Sequence, residues 1–327
     1  MRSVIQGAGH AVPSKVLTNH DLEKLVETND EWITQRTGIK ERRIVSPGET
    51  SATLSAEAAA MALARAGMRA DEIELIIVAT VTPDMQFPST ACLVQRALGA
   101  ENAAAFDLAA ACAGFIYSLC TASSMIQTGQ FKNALVIGVD TLSNVLDWTD
   151  RSTCVLFGDG AGAVVLKGVE NTDRGLVKTV LFSDGRGADH INIEAGGSRY
   201  PYSRPECFNS HRQKLYMAGS EVYRFAVTAM GDACCKVLNE AGLTTEDVDL
   251  FVPHQANLRI IDSAAKRLNL PPEKVFVNVQ KYGNTSGGSI PIALSEAVEQ
   301  GKLKQGMNVL TVGFGAGVVW GANLIKW

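Results

Sequence analysis

The second half of this 327-residue chain repeats a pattern found in the first half. In each half an alanine-rich helix pattern ends in Ala-Gly and leads into an apolar run typical of a buried strand, at 66–81 and again at 241–254. The apolar segment 275–279 corresponds to the strand pattern 103–108 and is expected to form a strand, and the glycine-rich segment 160–165 resembles 315–319. A repeat at an offset of about 155 to 175 residues indicates an internal duplication. We therefore expect two similar α/β halves packed together in layers.

Cys112 occupies a strand-to-helix turn in the first half. A short buried strand pattern, 103–108, precedes it, and 113–127 follows with apolar residues at helical spacing. A thiol at a helix N-terminus feels a partial positive charge, which is expected to lower its pKa toward the thiolate form. A lone cysteine in an apolar run also fits a buried structural role, so the choice depends on other features.

Two polar residues of the second half fall at related places. His254 directly follows a buried strand pattern, at the carboxyl end where active sites of α/β proteins gather. Asn284 lies in the turn, 282–286, that matches the turn before the Cys112 helix, although an asparagine in a turn is ordinarily structural. The duplication places Cys112, His254 and Asn284 on loops that face one pocket. This pattern predicts a cysteine nucleophile with two hydrogen-bonding partners.

Two further segments have a plain and a functional interpretation. The glycine-rich segment 313–317 is either a simple hairpin or a set of backbone N–H groups that form an oxyanion hole. The segment 30–43, which contains Trp32 and Arg36, is either a solvated helix end or a binding site for an anionic ligand with a planar group. Arginine suits phosphate groups, and tryptophan offers a stacking face.

Composition excludes several classes of function. The formal net charge of −4 offers no bulk attraction for nucleic acid. No apolar run approaches the roughly 20 residues of a membrane span, and the N-terminal residues lack the apolar run of a signal peptide. The seven cysteines are odd in number and form no CxxC pair, which argues against a metal site or a disulfide framework. These features predict a globular cytoplasmic protein without a metal.

Taken together, the motifs are similar to those of the β-ketoacyl-acyl carrier protein synthase III family, the initiating condensing enzymes of fatty-acid synthesis. The similarity covers essentially the whole chain, and its clearest segments are 32–43, 109–114, 157–162, 252–257, 282–286 and 313–317. Elongating synthases place a second histidine where Asn284 stands, and thiolases use a second cysteine. The resemblance implies a thiolase-like α/β fold with duplicated halves in α-β-α-β-α layers. We place the nucleophilic half at 1–170 and the half with His254 and Asn284 at 171–327.

The resemblance also implies a mechanism. Cys112 takes a short acyl group from acyl-CoA, while the backbone N–H groups of Cys112 and Ala316 hold the oxyanion. Malonyl-acyl carrier protein then enters. His254 and Asn284 donate hydrogen bonds to its thioester oxygen as carbon dioxide leaves, and the resulting carbanion attacks the acyl-cysteine. The product is 3-ketoacyl-acyl carrier protein, and no metal or redox cofactor is expected.

By the same resemblance, further residues are expected to bind coenzyme A. Trp32 and Arg151 would sandwich the adenine, and Arg36 would meet a phosphate. The pantetheine tunnel would be lined by Thr28, Gly219 and Asn257. Members of the family are dimers, so Phe87 is expected to reach the acyl pocket of a partner subunit.

A basic helix face is the expected docking site for the carrier protein. The helix pattern 257–268 carries Arg259, Lys266 and Arg267 on the face opposite its apolar stripe, and Arg224 extends the patch. Carrier proteins are acidic, and complementary charge mainly accelerates encounter and sets orientation. An ordinary solvated helix face is the alternative interpretation.

Other functions remain open at this stage. A synthase of the same fold that makes a secondary metabolite from other acyl-CoA starters shares all three catalytic residues. A non-catalytic scaffold would have lost at least one of them, and a cysteine hydrolase also uses Cys, His and Asn. The sequence departs from the family pattern at 287–288, where two glycines replace the usual alanines, and in the long irregular segment 196–214, which predicts a surface loop.

Overall fold

The structure, a computed structural model, describes residues 1–207 and 211–327. Its strands are β1 (Arg2–Ala11), β2 (Val16–Thr18), β3 (Glu41–Arg43), β4 (Leu75–Ala79), β5 (Ala104–Leu108), β6 (Asn133–Thr141), β7 (Asp159–Val169), β8 (Gly175–Ser183), β9 (Ile191–Asn192), β10 (Tyr216–Met217), β11 (Leu250–Pro253), β12 (Asn308–Gly315) and β13 (Val319–Lys326). Its α-helices are α1 (Asn19–Leu22), α2 (Asp30–Thr37), α3 (Ser51–Ala66), α4 (Thr90–Leu98), α5 (Gly114–Gln127), α6 (Gly219–Glu240), α7 (Leu258–Arg267), α8 (Val279–Tyr282) and α9 (Ser289–Glu299).

Two mixed sheets have the same strand order. The first sheet runs β1-β7-β6-β4-β5, and the second runs β8-β13-β12-β11. In each sheet the first three strands pair antiparallel, and the next strand pairs parallel to its neighbour. A single parallel bridge between Phe251 and Val275 takes the place that β5 has in the first sheet. The predicted duplication is therefore visible in the topology.

Two details of the predicted repeat are wrong. The segment 275–279 was expected to form a strand like β5, but only Val275 bridges to β11, and the chain turns into α8 at Val279. The match between Gly160 and Gly315 joins strands that are not equivalent, because Gly160 lies on β7 and Gly315 ends β12. In the second sheet the strand equivalent to β7 is β13.

Helices cover both faces of each sheet, which gives the predicted α-β-α-β-α layers. Helices α3 and α4 pack their apolar residues on the outer face of the first sheet. Helices α6 and α7 do the same on the outer face of the second sheet. The central layer consists of α5 and α9, which lie between the two sheets in one apolar core with residues from both halves. Burial of these apolar faces is the main favourable term in folding.

The two central helices exchange partners between the halves. Helix α5, from the first half, packs on β4 and β6 of its own sheet and also reaches β13. Helix α9, from the second half, packs on β1 and β7 of the first sheet. Glycines allow this close approach: a Cβ at Gly162 would lie 2.4 Å from the backbone nitrogen of Ile292. The inner face of each sheet is therefore covered by helices from both halves.

A smaller layer lies over one end of the sheets. It is built from α1, α2, β2 and β3 with parts of 142–157 and 191–217, and it has its own apolar cluster. The predicted loop 196–214 contains short 3-10 turns at Pro205–Cys207 and His211–Gln213, and residues 208–210 of that loop lie outside the described residues. Within the described ranges, no helix combines the length and apolarity needed to cross a membrane.

Candidate active site

Cys112 sits in a sharp turn between β5 and α5. The first elbow, Ala111–Ala113, is a 3-10 turn that continues directly into α5, and Ala111 has a left-handed backbone with φ of 45°. The second elbow, Ser286–Gly288, continues in the same way into α9, and Ser286 has a φ of 48°. Positive φ is uncommon outside glycine and is often found at functional sites. The two elbows face each other across the central layer.

A single cavity of about 550 Å³ brings most of the predicted residues together. Its inner wall carries Cys112, His254 and Asn284 with the 314–316 turn, and its outer part carries aromatic and basic residues. The predicted residues that line it are Trp32, Arg36, Cys112, Arg151, Gly219, His254, Asn257, Arg259, Asn284 and Ala316. A pocket of this size with a few polar groups at its inner end is typical of a small-molecule site.

Burial dominates the chemistry of the Cys112 thiol. Its Sγ lies 3.2 Å from the hydroxyl oxygen of Ser286. The pKa of Cys112 is raised to about 12, mainly by burial; the Ser286 hydroxyl lowers it, and the nearby Asp140 carboxylate acts in the same direction as burial. The expectation that the helix terminus lowers this pKa is therefore wrong. The reason is that desolvation of a thiolate outweighs the partial charge of a helix end.

His254 is fully buried and held as a neutral hydrogen-bond donor. Burial lowers its pKa to about 3, so the imidazole is uncharged near neutral pH. Its Nδ1 lies 2.6 Å from the Ser289 hydroxyl, which itself accepts a hydrogen bond from the backbone N–H of Gln255. Among the described residues the Ser289 proton has no acceptor other than Nδ1, so the hydroxyl donates to Nδ1. The ring proton then lies on Nε2, which has no partner among the described residues.

Asn284 also offers a hydrogen-bond donor, the NH₂ group of its side-chain amide. Its backbone N–H donates to Leu156, and its backbone carbonyl accepts from Gly158, so a segment of the first half holds it. Its side-chain Oδ1 accepts from the backbone N–H of Ser286 at 2.8 Å. This contact assigns the oxygen and leaves the side-chain NH₂ group as the available donor. His254 and Asn284 thus offer two neutral donors to one cavity.

The turn between β12 and β13 approaches Cys112 closely. A Cβ at Gly315 would lie 2.6 Å from the backbone nitrogen of Cys112 and 2.9 Å from the Cβ of Ala111. Only glycine fits there without covering the Cys112 N–H group. Ala316, which follows, lines the cavity. The segment is the turn of the β12–β13 hairpin, as one of the two interpretations predicted, and its close approach to Cys112 also supports the oxyanion-hole interpretation.

Aromatic and basic residues form the outer part of the cavity. The N-terminus of α2 is capped by Asn29, whose side chain accepts from the backbone N–H of Trp32. The guanidinium groups of Arg36 and Arg151 lie 5.1 and 5.6 Å from the centre of the Trp32 ring. Arg151 also donates to the backbone carbonyl of Glu27. A planar ligand between Trp32 and Arg151 requires Arg151 to move outward.

Several predicted binding residues do not line the cavity. Thr28 lies near α2, and its buried hydroxyl has no partner among the described residues. Phe87 is 84% exposed, in the loop before α4. Of the basic residues expected to dock the carrier protein, Arg224 pairs with Glu221 and Arg267 with Asp232. Lys266 is exposed on α7.

Sequence reasoning did not single out Ser286, Ser289 or Asp140 for the site. The repeat carries a signal for the two serines, because the elbows align Ser286 with Ala111 and Ser289 with Gly114. Asp140 gives no such signal, since it is one acid at the end of an apolar strand pattern. In the described part of the chain, no group of three or more His, Cys, Asp or Glu residues is placed to hold a metal ion.

Comparisons with known proteins decide the family. Residues 106–185 match the family model for 3-oxoacyl-[acyl-carrier-protein (ACP)] synthase III, and residues 238–327 match the model for its C-terminal part. A β-ketoacyl-[acyl-carrier-protein] synthase III from Caldanaerobacter subterraneus subsp. tengcongensis is 52% identical over 323 residues, which cover 99% of this chain and 97% of the relative. The chain belongs to the β-ketoacyl-acyl carrier protein synthase III family.

Further members agree with this assignment. A synthase III from Symbiobacterium thermophilum is 55% identical over 99% of this chain and 97% of its own length. The crystal structure of a synthase III from Aquifex aeolicus VF5 superposes with a TM-score of 0.91 at 49% identity, covering 99% of this chain and all of that chain. The predicted thiolase-like fold and acyltransferase class are confirmed. Synthase III enzymes carry out the initiating condensation of fatty-acid synthesis, which is the function predicted from the motifs.

Proposed function

We propose that this chain joins a short acyl group, acetyl in the first instance, from acyl-CoA to malonyl-acyl carrier protein through an acyl-Cys112 intermediate. One observation carries the proposal: a single cavity holds a cysteine, a neutral histidine with its Nε2 donor free, and an asparagine with its amide donor free. Two neutral donors suit a thioester oxygen that becomes negative as carbon dioxide leaves. A cysteine hydrolase instead needs its histidine as a base, and the low pKa of His254 disfavours that role.

In the first half-reaction Cys112 attacks the thioester carbonyl of acyl-CoA. The developing oxyanion accepts hydrogen bonds from the backbone N–H groups of Cys112 and Ala316, and coenzyme A leaves. In the second half-reaction the malonyl thioester oxygen accepts from Nε2 of His254 and from the Asn284 amide. Loss of carbon dioxide gives an enolate that attacks the acyl group on Cys112. The product, 3-ketoacyl-acyl carrier protein, is released with the thiol restored.

We expect acyl-CoA to label Cys112 and none of the other six cysteines. Only Cys112 combines a place in the cavity with the proposed oxyanion donors. Peptide mapping of the trapped acyl-enzyme tests this, and the intact mass after exposure to a mixture of acyl-CoAs identifies the preferred starter. Label on Cys120 or Cys154 would overturn the assignment. Acyl-CoA hydrolysis without condensation would instead support the hydrolase alternative.

We expect Trp32→Ala to raise the KM for acyl-CoA by about fivefold while changing kcat much less, because stacking on an aromatic face is worth about 1 kcal/mol. Two guanidinium groups already lie against the ring, and outward movement of Arg151 would give a planar ligand room beside it. Trp32→Phe is the matched control, since it retains an aromatic face, and its KM should rise less. Steady-state kinetics measure both. An unchanged KM in Trp32→Ala would instead support the interpretation of segment 30–43 as a solvated helix end.

We expect the docking face to depend on Arg259 and Lys266, because neither has an acidic partner among the described residues. Lys266→Glu should weaken use of malonyl-acyl carrier protein and leave acyl transfer from acetyl-CoA unchanged. Arg259 lies at the cavity wall, so Arg259→Glu should weaken use of malonyl-acyl carrier protein more than Lys266→Glu does. The relative defect should shrink as salt rises, since screening also weakens the wild-type attraction.

Lys304→Glu makes the same charge change before β12, at the end of that strand opposite the cavity, and serves as the control. If it lowers use of the carrier protein as much as Lys266→Glu does, net charge rather than a docking face is responsible.

The proposal includes a homodimer that works in the cytoplasm. The exposed Phe87 and the neighbouring Met85, which is 46% exposed, form an apolar surface in the loop before α4. Exposed large apolar side chains that lie together often mark a protein interface. In this arrangement Phe87 closes the acyl pocket of the partner subunit and limits the length of the acyl group.

A further inference from the structure

A line of polar groups leads from the nucleophile into the core. The thiol of Cys112 donates to the Ser286 hydroxyl oxygen at 3.2 Å. The same hydroxyl also acts on the Asp140 carboxylate and lowers the pKa of that acid, against the larger effect of burial, which raises it. The next residue, Gly287, donates its backbone N–H to Oδ2 of Asp140 at 3.1 Å. A thiol, a hydroxyl and a carboxylate therefore connect in series.

Asp140 is an unusual group to find at this depth. It is fully buried on β6, and no salt bridge among the described residues involves it. Its Oδ1 accepts from the backbone N–H of Val81 and from the hydroxyls of Thr80 and Thr82. The titratable groups that face it are Cys112 and Asp159, and burial raises its pKa. A buried carboxylate without a cation, beside a nucleophile, is a candidate for a functional group.

The backbone of Ser286 brings its hydroxyl to this place at an energetic cost. Left-handed backbone at a residue other than glycine is strained and persists where the surroundings hold it. The equivalent residue in the first elbow, Ala111, has the same backbone conformation without a polar side chain. The hydroxyl is therefore not required for the turn itself, and its contacts with Cys112 and Asp140 need another explanation.

We propose that Ser286 and Asp140 form a proton relay, which takes the proton of the Cys112 thiol during acylation and returns it after condensation. The inference rests on the proposed function, in which Cys112 is the acylated residue. Ser286 touches the reacting sulfur, and Asp140 acts through it as the proton acceptor.

The steps balance in atoms and charge. As the Cys112 sulfur bonds to the acyl carbon, the thiol proton passes to Ser286, and the Ser286 proton passes to Asp140. The thioester bond to coenzyme A then breaks, and the coenzyme A thiolate takes a proton from solvent. In condensation the enolate forms a carbon–carbon bond to the acyl carbon, and Cys112 leaves as thiolate. Asp140 then returns its proton through Ser286. The cycle consumes one proton overall, as the loss of carbon dioxide from a carboxylate requires.

Electrostatics favour this route over simple ionisation of the thiol. If Asp140 stays ionised, a Cys112 thiolate adds a second negative charge to a buried site, and like charges in a low dielectric repel strongly. Transfer of the proton to Asp140 keeps one negative charge in the site throughout. The high pKa of the resting thiol is then compatible with nucleophilic attack, since the thiolate never forms beside an ionised Asp140.

The test measures single-turnover acylation by acetyl-CoA between pH 5.5 and 9.5, followed by the intact mass of the enzyme. In the wild type the acylation rate should rise over the pH range in which Asp140 loses its proton, because only the ionised carboxylate can accept the proton from Cys112. Once Asp140 is fully ionised, the rate should reach a plateau. Ser286→Ala should slow acylation near neutral pH by about 100-fold, the usual contribution of general base catalysis, and its rate should keep rising with pH. Alanine is tolerated at this φ, as Ala111 demonstrates.

Asp140→Asn is the second variant, and its rate should likewise lose the plateau. If it does not fold, Ser286→Ala alone decides, after its thermal unfolding is compared with that of the wild type. Ser55→Ala, which removes a buried hydroxyl from α3 on the outer side of the first sheet, is the control for loss of a buried group. It should retain the wild-type profile.

Alkylation of Cys112 by iodoacetamide, read by peptide mapping, gives the same comparison without any acyl donor. If acetyl-CoA fails to label wild-type Cys112, the proposed function fails, while the alkylation profiles still test the relay. If Ser286→Ala keeps the wild-type rate, or slows by one factor at every pH with the plateau intact, the relay is overturned.

Discussion

Asn284→Ala should lower decarboxylative condensation by about 100- to 1,000-fold while acyl transfer to Cys112 remains measurable, since loss of one preorganised donor has that effect on the step it serves. The Asn284 amide is available to the malonyl thioester oxygen, and the Cys112 sulfur is hydrogen-bonded to Ser286 rather than to this amide. Formation of the acyl-enzyme by intact mass, and of product with malonyl-acyl carrier protein, separates the two steps.

Asn284→Asp is the more discriminating variant. It keeps an oxygen to accept from the backbone N–H of Ser286, so the second elbow stays anchored, and it replaces the donor NH₂ with an acceptor. Condensation should fall at least as far as in Asn284→Ala. Equal loss of both half-reactions in the two variants would mean that Asn284 only supports the turn.

Gly315→Ala should have the opposite pattern and abolish acyl transfer first. Its Cβ would lie 2.6 Å from the backbone nitrogen of Cys112, so it covers the N–H group that is proposed to bind the oxyanion. Loss of this N–H donor should lower the rate of Cys112 acylation by about 100- to 1,000-fold. Condensation should fall with it, because no acyl-enzyme accumulates. The overpacking should also cost about 1 to 3 kcal/mol in the free energy of unfolding.

Gly185→Ala is the matched control for that substitution. Gly185 has nothing within 4 Å of the added methyl group and lies in a turn after β8. Its acylation rate and free energy of unfolding should stay close to the wild-type values. A folded Gly315→Ala protein that acylates Cys112 at the wild-type rate would exclude the 315–316 turn from the oxyanion hole.

Much of the fold was predictable because the same simple sequence pattern occurs once in each half of the chain. Buried strands such as β4 and β11 are continuous apolar runs that follow a helix ending in glycine, and local rules read both. The strand expected at 275–279 failed because an edge position in the second sheet needs only one bridge. Apolar residues beyond that bridge bury themselves against other elements instead of forming a ladder.

The site residues likewise fall into two groups, those with a local sequence signal and those without one. Cys112, His254 and Asn284 each follow a pattern that local rules recognise, namely an elbow or a strand end. Ser286, Ser289 and Asp140 act through contacts with residues 35 to 174 positions away in the chain, which no local pattern contains. The direction of the Cys112 pKa was missed for a related reason, because the depth of a side chain is set by the whole fold.

The exchange of central helices between the halves has a consequence for synthesis. Half of the inner face of the first sheet, at β1 and β7, is covered by α9, which is among the last elements to leave the ribosome. At translation rates of about 5 to 20 residues per second, the 130 residues between the end of β7 and the end of α9 take about 7 to 26 s to synthesise, and the face stays uncovered for that time. The nascent first half therefore exposes an apolar surface during this interval. It is at this stage, before the nucleophile has a site to serve, that the chain is most open to chaperones and to aggregation.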